Sequence, residues 1–430
     1  MKKILLVLAA FGASVFAQSS ETAVFLAALS PDNEVPAVTG YAASGTAVLY
    51  AHVMRDAQGQ ITSGSVDFVM FHNFPDTPTL TGLHIHSGAA GANGPVVINT
   101  GIGGGANSLT VATARGNFAR QAPVMPDNAN AVAALRGLFT APQNYYVNLH
   151  SSNYPGGVIR GQVYRAERAV LLGRMSPSNE VPAITDFNAI GVAVFEAVRA
   201  YDSDFRFIGG AATFNVDYTV PEATTFTGLH IHTGQRGSNG GVVINTGLNA
   251  TSAAVESPAS GTGNITRRAE IMPNTPAVSA LEGLFDNPQG YYMNLHSSRH
   301  PGGVLRTQMF RTEAIGFPLS LSPSNEVPPV TGLNASAAGT LWVDALRDGS
   351  GAVVAGHVTF DLNFRFPAET RFTGLHVHDG KAGANGPVTI NSRLAATDSA
   401  SGFGNFWFPV NITGGQALTS LNALLANPEN

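Results

Sequence analysis

The chain has 430 residues, 44% of them hydrophobic and 12% charged, with a formal net charge of -5. Such a length suggests roughly two to four domains. The apolar share excludes a disordered polyelectrolyte, which needs low hydrophobicity and high charge. A weakly acidic chain also lacks the basic footprint that nucleic acid or an anionic membrane surface would require.

At the N-terminus, Lys2 and Lys3 precede a short apolar run over residues 4–16, with small residues Val15 and Ala17 just before Gln18. This pattern predicts a signal peptide over residues 1–17, cleaved after Ala17, and a secreted, periplasmic or cell-surface protein. The run is too short to span a bilayer, and no later segment approaches the roughly 20 apolar residues of a membrane helix. The sequence contains no cysteine. An exported chain of this kind has no disulfide framework, and cysteine-based metal sites and nucleophiles drop out.

Internal repeats set the architecture. Ser-Pro-x-Asn-Glu-Val-Pro starts at Ser30, Ser176 and Ser322, and Thr-Gly-Leu-His-Ile/Val-His starts at Thr81, Thr227 and Thr373, both at a spacing of 146 residues. A unit of that length predicts self-sufficient domains rather than solenoid repeats. Residues 46–53, 64–71, 83–86, 96–99 and 145–150 read as strands, with β-branched and aromatic residues between Gly, Pro and Asn clusters. Residues 128–139 hold Val132, Leu135 and Leu138 at helical spacing and predict one short helix, with counterparts at 277–285 and 417–425. The expectation is an all-β fold: tandem antiparallel β-sandwich or barrel domains, each with one short helix. The copies run over 18–166, 167–314 and 315–430, with junctions near 165–170 and 311–317. No long linker separates them, so they should sit like beads on a short string. Copies one and two continue into Tyr-Tyr-x-Asn-Leu-His at Tyr145 and Tyr291, whereas copy three reaches Asn430 where the first tyrosine is due. The third copy is expected to be C-terminally incomplete.

The Asn-Glu-Val-Pro opening, the Gly-Leu-His-Ile-His-x-Gly centre and the Tyr-Tyr-x-Asn-Leu-His-x-x-x-x-Pro-Gly-Gly-x-Ile/Leu-Arg ending together resemble the CHRD domain. That family is named after chordin, an extracellular antagonist of bone morphogenetic proteins, and also occurs in exported bacterial proteins. The resemblance implies an extracellular β-sandwich or barrel and leaves the activity open, because fold does not fix function. Growth-factor antagonism is not implied by these residues.

The chemistry concentrates in histidines. Residues two apart on a strand share a face, so His84 and His86 present both imidazoles together. His150, at the end of another predicted strand, can join them. His230, His232 and His296 repeat the set, while copy three keeps His376 and His378 without a third member, so its site should be weaker or absent. Converging neutral imidazoles suit copper or zinc. The His-x-His strand also resembles, locally, that of copper–zinc superoxide dismutase, although no bridging histidine, zinc-ligand set or framework disulfide accompanies it. The competing reading is a pair of buried histidines bonded to backbone carbonyls or to Asn148, stapling loops.

Other candidates carry two readings each. Glu34, Glu180 and Glu326 are carboxylate ligands or general bases, or else parts of a rigid turn made by Asn and Pro. Arg160 and Arg306 steer an anion toward the histidines, or else serve as exposed strand arginines or partners of a buried carboxylate. The Gly-rich segments 88–95, 234–241 and 380–387 lack a phosphate-loop lysine and read as tight loops needing positive φ. Nothing forms a nucleophile elbow. The sequence therefore points to an exported noncatalytic binding or structural protein with an extracellular protein or glycan partner, favoured by avidity among tandem copies. The alternative is a mononuclear copper or zinc protein with one three-histidine site per intact copy, for buffering, delivery or redox chemistry, superoxide dismutation included.

Overall fold

The structure, a computed structural model, describes residues 18–258, 261–399 and 402–429. The expected signal peptide lies outside the described residues. Copy one runs β1 (Gln18–Leu29), β2 (Ser44–Asp56), β3 (Ile61–Asn73), β4 (Thr79–Ser87), β5 (Val96–Asn99), β6 (Leu109–Thr110) and β7 (Arg115–Val124). It ends with α1 (Ala129–Thr140), β8 (Tyr145–Ser151) and β9 (Ile159–Gln162). Copy two repeats this order as β10 (Tyr164–Met175), β11 (Ile190–Tyr201), β12 (Phe207–Thr219), β13 (Thr225–Thr233), β14 (Val242–Asn245), β15 (Val255–Glu256) and β16 (Thr262–Ile271). It closes with α2 (Pro276–Asp286), β17 (Tyr291–Ser297) and β18 (Leu305–Gln308).

In each of these copies a large antiparallel sheet faces a small one. The large sheet of copy one has the order β1-β2-β3-β7, and the small one has the order β5-β4-β8-β9 with β6 against β4. Their facing sides enclose one apolar core that includes Phe25, Leu49, Phe68, Leu83, Ile85 and Val147. The helix covers one end of it. Asn128 caps α1 by accepting from the Ala131 amide at 3.1 Å, which satisfies an otherwise orphaned donor. Val132, Leu135 and Leu138 point into the core at the expected spacing. The observed bounds of the three helices differ from the predicted ones by one or two residues. The all-β expectation holds.

Copy three runs β19 (Phe310–Arg311), β20 (Glu313–Leu321), β21 (Ser336–Arg347), β22 (Val353–Arg365), β23 (Thr370–Phe372), β24 (His376–His378), β25 (Val388–Asn391), β26 (Thr397–Ser399), β27 (Phe403–Ile412) and α3 (Gly415–Ala426). Its large sheet, β20-β21-β22-β27, is complete, but β24 pairs only with β25 and β23 only with β26. In copies one and two the strand equivalent to β24 also pairs with β8 or β17.

The copies are not beads on a string. Strand β1 pairs with β10 at Phe25↔Arg165 and Leu26↔Tyr164, so two large sheets continue as one nine-stranded sheet that also takes in β19. The reason is visible in β2: ten successive residues from Gly45 to Met54 are buried, on both faces of the strand. Its outward side, with Val48 and Tyr50, packs on Val198, Ala211 and Trp407 of the other copies. Val170, Leu172 and Val194 of copy two likewise meet Leu346 and Ala355 of copy three.

This shared interior is partly polar. His52 of copy one is fully buried, with Nδ1 3.1 Å from Asp361 of copy three and Nε2 3.4 Å from Asp67. Arg168 and Glu196 of copy two pair at 2.7 Å, and Tyr50 of copy one donates to Glu196. Buried charges survive only when paired and hydrogen-bonded, so these contacts fix which faces meet.

Candidate metal centre

The histidines lie on the outward face of the small sheet. Leu83 and Ile85 of β4 enter the core, which turns His84 and His86 to the other side. Across the β4–β8 ladder, Gly82 stands opposite His150, His84 opposite Asn148 and His86 opposite Tyr146. Alternation along both strands therefore brings three imidazoles to one face. Their ring centroids are 5.6 Å apart for His84–His86, 5.0 Å for His84–His150 and 5.8 Å for His86–His150. The candidate ligand atoms all lie within 4.8 Å of one another. Copy two repeats the set in His230, His232 and His296, with centroids at 5.7, 4.9 and 5.7 Å.

Gly82 makes this convergence possible. A Cβ there would stand 2.7 Å from His84 Cε1 and 3.0 Å from His150 Cδ2; at Gly228 the corresponding distances are 2.8 and 3.2 Å. Sequence reasoning gave this glycine no role, although its place immediately before Leu-His in every copy marks it.

Hydrogen bonding decides which nitrogens are free. His86 Nδ1 donates to the Gly94 carbonyl at 2.9 Å, and His150 Nδ1 to the Pro155 carbonyl at 3.0 Å. These bonds fix the tautomer that leaves each Nε2 with a lone pair. His84 Nδ1, His86 Nε2 and His150 Nε2 are all buried and have no partner among the described residues. His230 Nδ1, His232 Nε2 and His296 Nε2 are left in the same state. Buried polar atoms in a folded protein are normally satisfied, so three orphaned acceptors at one point fit a cation. Tetrahedral coordination at metal–nitrogen distances of about 2.0–2.1 Å needs ligand atoms about 3.3 Å apart, so the rings would close in from a spread of up to 4.8 Å to hold an ion. Two of the rings thus staple loops through Nδ1, as one of the two readings expects, and leave Nε2 unbonded beside the third ring.

Electrostatics agree with neutral rings. Burial, followed by the neighbouring His150 and His86, lowers the His84 pKa to about 4; His230 is lowered likewise to about 4. Burial also lowers His86, His150, His232 and His296. The lone pairs are therefore available at neutral pH.

The surrounding shell explains the remaining motifs. Arg160 is buried, and its guanidinium lies 3.4 Å from the Tyr146 ring centroid. It donates to Asn93 Oδ1 at 3.1 Å and to the Ala89 and Ala92 carbonyls at 3.1 and 2.7 Å. Tyr146 in turn stacks on His86 at 4.8 Å with an interplanar angle of 13°. Arg306 and Tyr292 repeat this arrangement with a 3.5 Å contact. Both arginines thus hold the Gly-rich loop that presents the Gly94 or Gly240 carbonyl, and they are committed to it rather than open to solvent. In the loop of copy one, Gly91 alone takes a positive φ, 77°.

Glu34 is also buried. Asn148 Nδ2 donates to its Oε2 at 3.3 Å, while Glu34 Oε1 and Asn148 Oδ1 have no partner. Burial raises its pKa to about 7 against the smaller opposing effects of Asn148 and Arg160, and Glu180 beside Asn294 does the same. A protonated carboxyl would supply the missing donor to the amide oxygen. Asn33 donates to the Arg160 carbonyl at 3.0 Å, which ties the turn to β9. Glu326 of copy three is exposed. There His378 Nδ1 still bonds to the Gly386 carbonyl at 2.8 Å, but only His376 stands beside it. Among the described residues, the two triads are the only groups of this kind. No helix among them is long and apolar enough to cross a membrane.

No curated protein and no solved structure matches the chain. A family model described as the CHRD domain matches residues 25–163, 173–309 and 317–427, and the chain therefore belongs to the CHRD domain family.

Proposed function

We propose that this CHRD-type protein is exported and acts as a noncatalytic binding scaffold whose first two copies each hold one copper or zinc ion. The observation that carries the metal reading is the convergence, twice over, of three buried imidazole nitrogens without hydrogen-bond partners. His84 Nδ1, His86 Nε2 and His150 Nε2 would hold the ion in copy one, and His230 Nδ1, His232 Nε2 and His296 Nε2 in copy two. Three neutral donors leave the full positive charge of the ion on the site, and such a set suits both copper and zinc. The ion would supply a crosslink between β4 and β8 and an exchangeable metal store. Buffering or delivery is preferred to dismutation because the bridging histidine and zinc-ligand set are missing from the sequence.

Electron paramagnetic resonance of the Cu(II)-loaded mature chain tests this. Nitrogen couplings from three imidazoles are expected, and His150→Ala should reduce them in copy one only. A spectrum of free or surface-bound Cu(II), unchanged in that variant, would overturn the reading.

A further inference from the structure

The outward faces of the three large sheets do not close completely. Between them lies an open cavity of about 670 Å³, within the roughly 300–1,000 Å³ usual for small-molecule sites. It exists only because three copies meet: its wall takes Gln121 from copy one, Asn215 and Arg268 from copy two, and Trp407 and Asn411 from copy three.

The copies agree at their Asn-Glu-Val-Pro and His-x-His motifs but diverge here. The cross-strand pair Asp67↔Gln121 of copy one becomes Thr213↔Arg268 in copy two and Thr359↔Pro409 in copy three. The neighbouring pair Val69↔Ala119 becomes Asn215↔Thr266 and then Asp361↔Trp407. Equivalent positions thus build one asymmetric cleft instead of three similar surfaces.

Its chemistry is selective. Three carboxylates face it and each has a cation: Glu196 has Arg168 at 2.7 Å, Asp67 has His52 at 3.4 Å besides the Gln121 amide at 2.7 Å, and Asp217 has Arg393 at 3.2 Å besides the Asn264 amide at 2.8 Å. Among the described residues Arg268 has no carboxylate partner, and its one hydrogen bond is a 3.5 Å contact with Asn117 Oδ1. Arg120, on the same wall, likewise bonds only to a backbone carbonyl among the described residues, that of Ala119 at 2.8 Å, so the charges left without a partner are positive. Asn264 and Asn411 on the wall are held by Asn215, Asp217 and His357, while the hydroxyls of Thr213 and Thr266 line it with acceptor lone pairs. The half-buried indole of Trp407, backed by Tyr50 at 5.5 Å, supplies one flat apolar face.

We propose that this three-copy cleft binds an acidic saccharide, with sugar hydroxyls on Thr213 and Thr266, a sugar ring against Trp407 and a carboxylate on Arg268. An apolar ligand would strand the polar wall, and a neutral one would leave Arg268 uncompensated. The inference does not rest on the metal reading, since the histidine triads line a different face of the molecule.

Isothermal titration of the mature chain with trigalacturonate tests it, with maltotriose as the neutral control. The expected result is saturable one-site binding of trigalacturonate, at least tenfold tighter than maltotriose. Arg268→Gln should weaken it at least tenfold while thermal unfolding and metal content stay those of the parent. Trp407→Phe should weaken both sugars, which keeps the test decisive if Arg268→Gln fails to fold. Absence of saturable binding, equal affinity for the two sugars, or parental affinity in folded Arg268→Gln would each overturn the proposal.

Discussion

Replacing Asp361 by Asn should separate the charge of the inter-copy contact from its shape. His52 is fully buried between Asp361 and Asp67. Burial alone pushes its pKa down, but Asp361 first and Asp67 second more than reverse this and lift it from 6.5 to about 9. One pKa unit is worth about 1.4 kcal/mol, so the shift corresponds to a contribution on the order of 3 kcal/mol. A pKa raised by folding stabilises fully below about pH 6.5 and fades as pH rises through 9. Asn keeps the outline of the side chain, and the Asn405 amide that donates to Oδ1 at 2.9 Å can still be accepted. The variant should therefore lose about 2–3 kcal/mol at pH 6, and the deficit should shrink below about 1 kcal/mol at pH 9.5. Urea unfolding by tryptophan fluorescence suits the measurement, because the Trp407 ring lies 4.9 Å from that of His52. Equal deficits at both pH values, or none, would refute the reasoning.

Three further outcomes follow from the site and its shell. Gly82→Ala should lower metal affinity of copy one by about 10–100-fold, the range for disturbed supporting shells, because its Cβ would meet His84 and His150; competition with a colorimetric chelator reads this. Glu34 has its carboxyl pKa raised by burial, so the stability of the folded state declines as pH climbs from 4.5 through about 7. Glu34→Gln should remove that decline, gaining up to about 3 kcal/mol on the parent between pH 4.5 and 8; parallel melting-temperature profiles would contradict it. Export predicts that protein recovered outside the cytoplasm begins at Gln18 by N-terminal sequencing, and an intact Met1 there would contradict it.

Much of the fold was legible because each copy repeats local signals. Runs of β-branched and aromatic residues between turn clusters placed strands, and Val132, Leu135 and Leu138 placed the helix. The triads were legible as well, since strand parity alone puts His84 and His86 on one face. The joining of the copies was not. Edge pairing of β1 with β10 depends on docking, and the two-sided burial of β2 looks in sequence like an ordinary apolar strand. His52 and His357, outside the repeating motif, gave no sign that they belong to the shared interior, where both are buried. Arg160 and Glu34 were visible as motif members, but their burial follows from loop closure over the small sheet. Which nitrogen of each histidine is free depends on carbonyls such as that of Gly94, eight residues away from His86.

The most direct test of the account is elemental analysis of the full mature chain, loaded with copper or zinc and freed of excess ion. The account predicts about two ions per chain, about one in His84→Ala/His86→Ala/His150→Ala, and none when the copy-two triad is removed as well. A folded parent without bound ion, or a metal content unchanged by these substitutions, would contradict it.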